Sequence, residues 1–337
     1  MPIATLDQLS RPVRDLRLSV TDRCNFRCPY CMPRSKFGAD HAFSPRAELL
    51  TYEELARLVG IFAGLGVTKV RLTGGEPLLR RDLETLIAMI AATPGIDDVA
   101  LTTNGSLLAD RAATLRAAGL RRITVSLDSV DPQMFAAMTD SPIALDTVLG
   151  GIAAAQAAGL TPVKVNAVVQ RGVNEAGLLD LAEFARQQGL VLRFIEYMDV
   201  GTTNEWQSGA VVPAAEIIER IAAVHPLEPI AATIRGEVAR RWRYTDGGGE
   251  IGVIASVTQP FCTDCTRARV TATGELFTCL FAARGRDLRG LLRAGASDAE
   301  LVDLIVGVWH ARTDRYSEQR SADHQSGRRA EMSYLGG

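Results

Sequence analysis

No stretch of this 337-residue chain approaches the roughly eighteen apolar residues that a membrane-spanning helix requires, so no membrane association is expected. The opening residues, Met1-Pro-Ile-Ala-Thr-Leu-Asp7, show no basic run leading into an apolar one. No secretory leader is therefore expected, and the protein is expected in the cytoplasm with its thiols reduced. Basic side chains number 37 against 39 acidic ones, a net charge of −2. That balance excludes the broad basic field of a nucleic-acid binder, so any anionic ligand must be held by local cations. Histidine is scarce. The four present, His41, His225, His310 and His324, show no ligand-like spacing to any cysteine.

Cysteine is also sparing, and its placement is informative. The six fall into two triplets with none left over: Cys24, Cys28 and Cys31 near the start, and Cys262, Cys265 and Cys279 near the end. A closed structural site for zinc or a [4Fe–4S] cluster normally takes four protein ligands. A triplet leaves one metal coordinate open, and an open coordinate is where a small molecule binds. Disulfides are the alternative for a secreted chain, and zinc is the alternative for a C-x2-C pair. A zinc site needs a fourth ligand that histidine does not offer here. Iron–sulfur is the favoured reading, and two half-open sites point to a catalyst.

The remaining composition, 47% hydrophobic and 23% charged, suits a globular protein with a substantial core. Strand-like and helix-like stretches alternate. Leu16–Val20, Lys69–Thr73, Asp98–Thr102, Arg122–Leu127, Val163–Val168 and Val191–Glu196 read as strands, each followed by helical sequence or a polar loop. Thr51 reads as the N-cap of a helix, with Glu54 completing a capping box. Six βα units predict a parallel sheet, doubly wound or curved as a partial TIM barrel. From about Val211 the pattern changes to Arg240–Tyr244, a Gly247–Gly249 turn and Ile251–Ala255, which predicts a small second domain holding the second triplet. Residues 1–210 and 211–337 are thus the expected domains. In parallel folds ligands sit at the carboxyl edge of the strands. That edge would carry the first cysteine loop, Thr73-Gly-Gly-Glu-Pro77, Thr102–Gly105, Ser126–Ser129 and Met198–Gly201.

Cys24-Asn-Phe-Arg-Cys28-Pro-Tyr-Cys31 resembles the signature of the radical S-adenosylmethionine enzymes, and Thr73-Gly-Gly-Glu-Pro77 resembles the loop with which they hold the methionine amino group. Phe261–Arg269, Gly274–Cys279, Glu196–Gly201 and Met332–Gly337 resemble the GTP 3′,8-cyclase family, which acts first in molybdenum cofactor biosynthesis. The resemblance runs from about Leu16 to the last residue. It implies an incomplete TIM barrel with a small C-terminal domain, two [4Fe–4S] clusters and S-adenosylmethionine as cofactors. Cys24, Cys28 and Cys31 would hold the first cluster, and Cys262, Cys265 and Cys279 the second.

By the same resemblance Tyr30, Gly75, Ser126 and Met198 would contact S-adenosylmethionine. Arg17, Arg71, Thr102, Lys164, Arg267 and Arg269 would contact GTP, with Lys69, Asn166 and Arg193 as further candidates. The reaction implied is radical conversion of GTP to (8S)-3′,8-cyclo-7,8-dihydroguanosine 5′-triphosphate. The partners implied are an electron donor such as a flavodoxin and the next enzyme of the pathway, cyclic pyranopterin monophosphate synthase. Monomer and homodimer are both compatible with it. Thr202, Thr263 and Thr266 depart from the family's frequent residues. Near the end, Met332, Tyr334 and Leu335 are expected to dock on the barrel and carry Gly336 and Gly337 to the substrate or to the arginines around it.

Overall fold

The computed structural model describes residues 5–234, 236–320 and 329–336; His324 and Gly337 lie outside them. Alternation of apolar and polar side chains builds the central strands, because successive residues of a strand point to opposite faces. In β1 (Asp15–Ser19) Leu16 and Leu18 are fully buried while Arg17 points the other way; in β2 (Lys69–Thr73) Val70 and Leu72 alternate with Lys69 and Arg71. The series continues through β3 (Asp98–Thr103), β4 (Arg122–Ser126), β5 (Lys164–Val169) and β6 (Val191–Glu196). Between them run α1 (Tyr52–Gly64), α2 (Leu83–Ala91), α3 (Ala112–Ala117), α4 (Pro132–Thr139), α5 (Leu145–Ala157) and α6 (Leu178–Gln187). Thr51 caps α1 through Glu54 N, and the Glu54 carboxylate returns to Thr51 N, so the predicted capping box is present. α1 turns Leu55, Leu58, Val59 and Phe62 inward, and these join one continuous core with the buried faces of the strands.

The second half extends the same sheet at both edges. After α7 (Ala214–Ala222) come β7 (Leu227–Ile230), β8 (Arg240–Tyr244), β9 (Glu250–Ile254), β10 (Arg267–Val270), β11 (Glu275–Phe277) and β12 (Arg286–Asp287). The chain then forms α8 (Arg289–Arg293), α9 (Asp298–His310) and α10 (Met332–Leu335). Strand order is β12-β11-β10-β1-β2-β3-β4-β5-β6-β9-β8-β7. β10 pairs parallel with β1, and β9 pairs parallel with β6, so the parallel stretch is two strands longer than the six βα units predict. Antiparallel pairs flank it on each side. The fold is α/β with a largely parallel sheet.

Register decides which side chains meet. Arg269, Arg17 and Arg71 are direct neighbours across β10, β1 and β2, and Arg267, Asp15 and Lys69 form the adjacent row. Ser126, Asn166 and Arg193 form a third row across β4, β5 and β6. Neighbouring strands lie about 4.8 Å apart, so each row sets its polar side chains shoulder to shoulder on one face.

Candidate active site

That face forms the wall of a cavity of about 540 Å3. All six cysteines open onto it, with Tyr30, Gly75, Ser126, Met198, Arg17, Arg71, Thr102, Lys164, Arg267 and Arg269. Lys69, Asn166 and Arg193 line it too. None of the six cysteines is in a disulfide.

At one end sits the first triplet. Burial drives the Cys24 thiol up to about 11 and Cys31 to about 12, and pushes Cys28 well above its ordinary value. Cys24 adds to the rise of both Cys28 and Cys31, and Cys31 adds to that of Cys28, as neighbouring like charges do. The neighbouring loop is tied to them through backbone: Gly75 N donates to Thr21 O at 2.8 Å and Glu76 N to Arg23 O at 2.7 Å. Glu76 is fully buried, and burial raises its carboxyl to about 7. It accepts from Asn104 N and Thr103 Oγ1, both at 2.7 Å, and so fixes the loop after β3. Tyr30 Oη donates to Asp128 Oδ2 at 2.8 Å, while Val168 N holds the other carboxylate oxygen at 2.8 Å.

The middle of the cavity is cationic. Burial, then Arg269 and Arg267, lower Arg17 well below its ordinary value, and burial lowers Arg71 and Arg193 as well. Burial alone would raise Asp15, but Lys69, Arg17 and Arg71 together hold it at about 2. Lys69 Nζ reaches Asp15 Oδ2 at 2.9 Å, so one cation of the group is paired. Arg71 Nη1 donates to Thr102 Oγ1 at 3.0 Å and Thr124 Oγ1 at 3.2 Å, both neutral acceptors. Among the described residues, Arg17 Nε, Arg193 Nε and Asn166 Oδ1 are buried with no protein partner. Buried guanidinia set side by side are costly unless an anion joins them. The arrangement fits a polyanionic ligand.

At the other end Cys265 and Cys279 lie near Arg267, and Cys262 lines the same space. Arg267 Nη2 donates to Cys265 Sγ at 3.3 Å, and its guanidinium lies 5.1 Å from the Phe261 ring centroid. Burial raises Cys265, but Arg267 and Arg312 outweigh it and hold the thiol at about 6, while burial takes Cys279 to about 12. A network invisible in the sequence supports this end. Arg11 Nη1 donates to Cys262 O at 2.7 Å, and Arg312 Nη1 donates to Cys265 O at 2.8 Å. Asp7 pairs with both arginines, at 2.6 Å and 3.3 Å, and all three side chains are buried. From the tail, Gly336 O accepts from Arg269 Nη1 at 2.9 Å. Tyr334 Oη meets Thr273 Oγ1 at 2.6 Å and donates to Glu275 Oε2 at 2.7 Å, and Leu335 is fully buried.

The Radical SAM superfamily model matches residues 18–185, and the Molybdenum Cofactor Synthesis C model matches residues 190–318. A GTP 3′,8-cyclase of Acidothermus cellulolyticus is 55% identical over 98% of each chain. The chain belongs to the GTP 3′,8-cyclase family. Relatives of the same name in Xanthomonas axonopodis pv. citri and Staphylococcus aureus are 52% and 45% identical, again over 98% of both chains. Two crystal structures of Streptococcus suis SuiB, one bound to S-adenosylmethionine and one to precursor peptide SuiA, share the fold. Each superimposes with a TM-score of 0.59 at 14% identity, covering 94% and 91% of this chain and 72% and 67% of the other.

The donor sets fit the cofactors of the GTP 3′,8-cyclase family, two [4Fe–4S] clusters and S-adenosylmethionine. Among the described residues, no three His, Cys, Asp or Glu side chains converge as a single metal ion requires. Thiolates that each bind a different iron of a cubane stand further apart, and soft sulfur suits iron–sulfur clusters. Each triplet opens onto the cavity, so a cluster held there would have room for a ligand.

Proposed function

We propose that this protein converts GTP to (8S)-3′,8-cyclo-7,8-dihydroguanosine 5′-triphosphate. The observation that carries the reading is the common cavity: two cysteine triplets and a row of arginines that, among the described residues, have no carboxylate partner open onto one space. Cys24, Cys28 and Cys31 would hold one cluster, and Cys262, Cys265 and Cys279 the other. When bound, the first cluster and S-adenosylmethionine would supply the radical chemistry that takes hydrogen from C3′ of the ribose and joins C3′ to C8 of the guanine, with the external donor providing both the electron that cleaves S-adenosylmethionine and the one that, with a proton at N7, completes the dihydro product. The chain's own residues orient and enclose. Tyr30, Gly75, Ser126 and Met198 would hold S-adenosylmethionine, with Asp128 fixing Tyr30. Arg17, Arg71, Lys164 and Arg269 would bind the triphosphate, each guanidinium offering a planar pair of donors to phosphate. Thr102 and Arg267 would complete the substrate site.

In this reading residues 1–210 form a partial barrel around the first cluster, and residues 211–337 carry the second. The partners proposed are a flavodoxin-like electron donor and cyclic pyranopterin monophosphate synthase, in the cytoplasm. The test is an anaerobic assay of reconstituted protein with GTP, S-adenosylmethionine and dithionite, read by mass spectrometry. Cyclised nucleotide formed together with 5′-deoxyadenosine supports the reading. S-adenosylmethionine cleavage with GTP left intact would refute it.

A pH dependence follows from Lys164. Burial, then Arg193, Arg122 and Arg71, lower its ammonium from 10.5 to about 8. Below pH 8 the free site carries the charge; above it the proton must be taken up when a polyphosphate binds. GTP affinity is therefore expected to fall between pH 7 and 9, by up to about tenfold if the bound ammonium stays protonated throughout. Lys164→Arg, charged across the range, should flatten the profile measured by equilibrium binding. An unchanged slope in that variant would clear Lys164 of the role.

A further inference from the structure

The segment containing α10 touches both ends of the cavity. At the second-triplet end, Gly336 O accepts from Arg269. At the first-triplet end, Glu331 places its carboxylate in the loop that follows β6. Its Oε1 accepts from Thr202 N at 3.0 Å and Thr202 Oγ1 at 2.9 Å, and its Oε2 accepts from Thr203 Oγ1 at 2.8 Å. The approach is so close that a Cβ on Gly201, whose φ is +74°, would fall on the carboxylate. Arg329 adds a second tie, donating from Nη1 to Asp199 O at 2.8 Å and Asp199 Oδ2 at 3.1 Å. The same loop contains Met198, which lines the cavity.

We propose that Glu331 is a positioning residue that links the two binding events. Through it, ordering of the Met198 loop by S-adenosylmethionine and docking of Gly336 at Arg269 become one coupled change. The inference rests on the GTP cyclase reading above. A loop already ordered by one ligand anchors Glu331 and leaves less freedom to lose when Gly336 docks. Such coupling is reciprocal: if S-adenosylmethionine tightens GTP, GTP tightens S-adenosylmethionine by the same factor. Thr202, a departure from the family's frequent residue, supplies two of the three donors to the carboxylate.

The test uses anaerobically reconstituted, unreduced enzyme, which binds without turnover. GTP dissociation constants are measured by equilibrium ultrafiltration with and without saturating S-adenosylmethionine. In the native protein S-adenosylmethionine is expected to tighten GTP by at least about fivefold. Glu331→Ala should bring that factor close to one with iron content and cluster spectra unchanged. Glu331→Gln keeps an oxygen for Thr202 and an amide for Thr203, so it should restore most of the coupling. A factor in Glu331→Ala equal to that of the native protein would overturn the proposal, as would native protein without coupling. Should Glu331→Ala fail to load its clusters, the Thr202→Val, Thr203→Val double variant weakens the clasp from the other side, and native coupling there would likewise overturn it. If the native protein bound no GTP at all, the functional reading itself would fall first.

Discussion

Cys265→Ser is expected to stop GTP cyclisation while S-adenosylmethionine cleavage continues, and Cys28→Ser is expected to end cleavage altogether. The two outcomes separate because each triplet has its own supporting network. Cys28 is tied to its turn by backbone bonds, with Cys31 N and Met32 N both donating to Cys28 O. Serine preserves that turn but offers iron a hard oxygen in place of a soft thiolate. Cys265 is held by Arg312 through its carbonyl and met by Arg267 at its sulfur. Serine there keeps the carbonyl contact and loses the sulfur. Cyclisation is expected to drop by at least about a hundredfold, equivalent to about 2.7 kcal/mol of transition-state stabilisation. The measurement is 5′-deoxyadenosine and cyclised nucleotide by mass spectrometry, with iron content and electron paramagnetic resonance of each variant. Normal product from Cys265→Ser would remove the second triplet from substrate binding.

Local chemistry was readable before the structure, and distant pairing was not. β2 and β6 have the bounds expected from sequence because alternation and strand-forming residues act within a few positions. The Thr51–Glu54 box is likewise a four-residue signal. Arg267 and Arg269, two positions apart in an extended stretch, fall on one side by local geometry alone, and both line the cavity. That Arg269, Arg17 and Arg71 form one row depends on β10 pairing with β1, a contact spanning some 250 positions that alternation does not encode. The short β12 and the proline-containing β7 carry too little pattern to be read as strands. Asp7, Arg11 and Arg312 are ordinary charged residues in sequence; only their joint burial marks them as support for the second triplet. Glu331 was hidden for the same reason, since its partners Thr202 and Thr203 lie far away along the chain.

Gly336→Val is expected to nearly eliminate cyclised product while both clusters and S-adenosylmethionine cleavage persist. Gly336 has φ +69°, a left-handed conformation that costs a β-branched residue about 1–3 kcal/mol. Space is lacking as well. A Cβ there would run into Ser19 Oγ and the side chain of Thr73, both buried at the ends of β1 and β2. Those strands lie within the parallel sheet, so the terminal segment must yield rather than the sheet. Its withdrawal takes Gly336 O away from Arg269 and changes how that arginine is presented to the substrate. Misplacement of a reacting group by about 1 Å can cost a hundredfold in rate, and that is the loss expected in kcat. Tyr334→Phe provides the comparison. It deletes the hydroxyl bonds to Thr273 and Glu275 but keeps the ring packed edge-on at 6.4 Å from Phe277, so its loss should be only severalfold. Even Gly336→Ala, the smallest change, should be strongly impaired, because the first added carbon already meets Ser19 and Thr73. Turnover at the native rate in Gly336→Ala, with clusters intact, would show that the carbonyl contact to Arg269 has no part in the reaction.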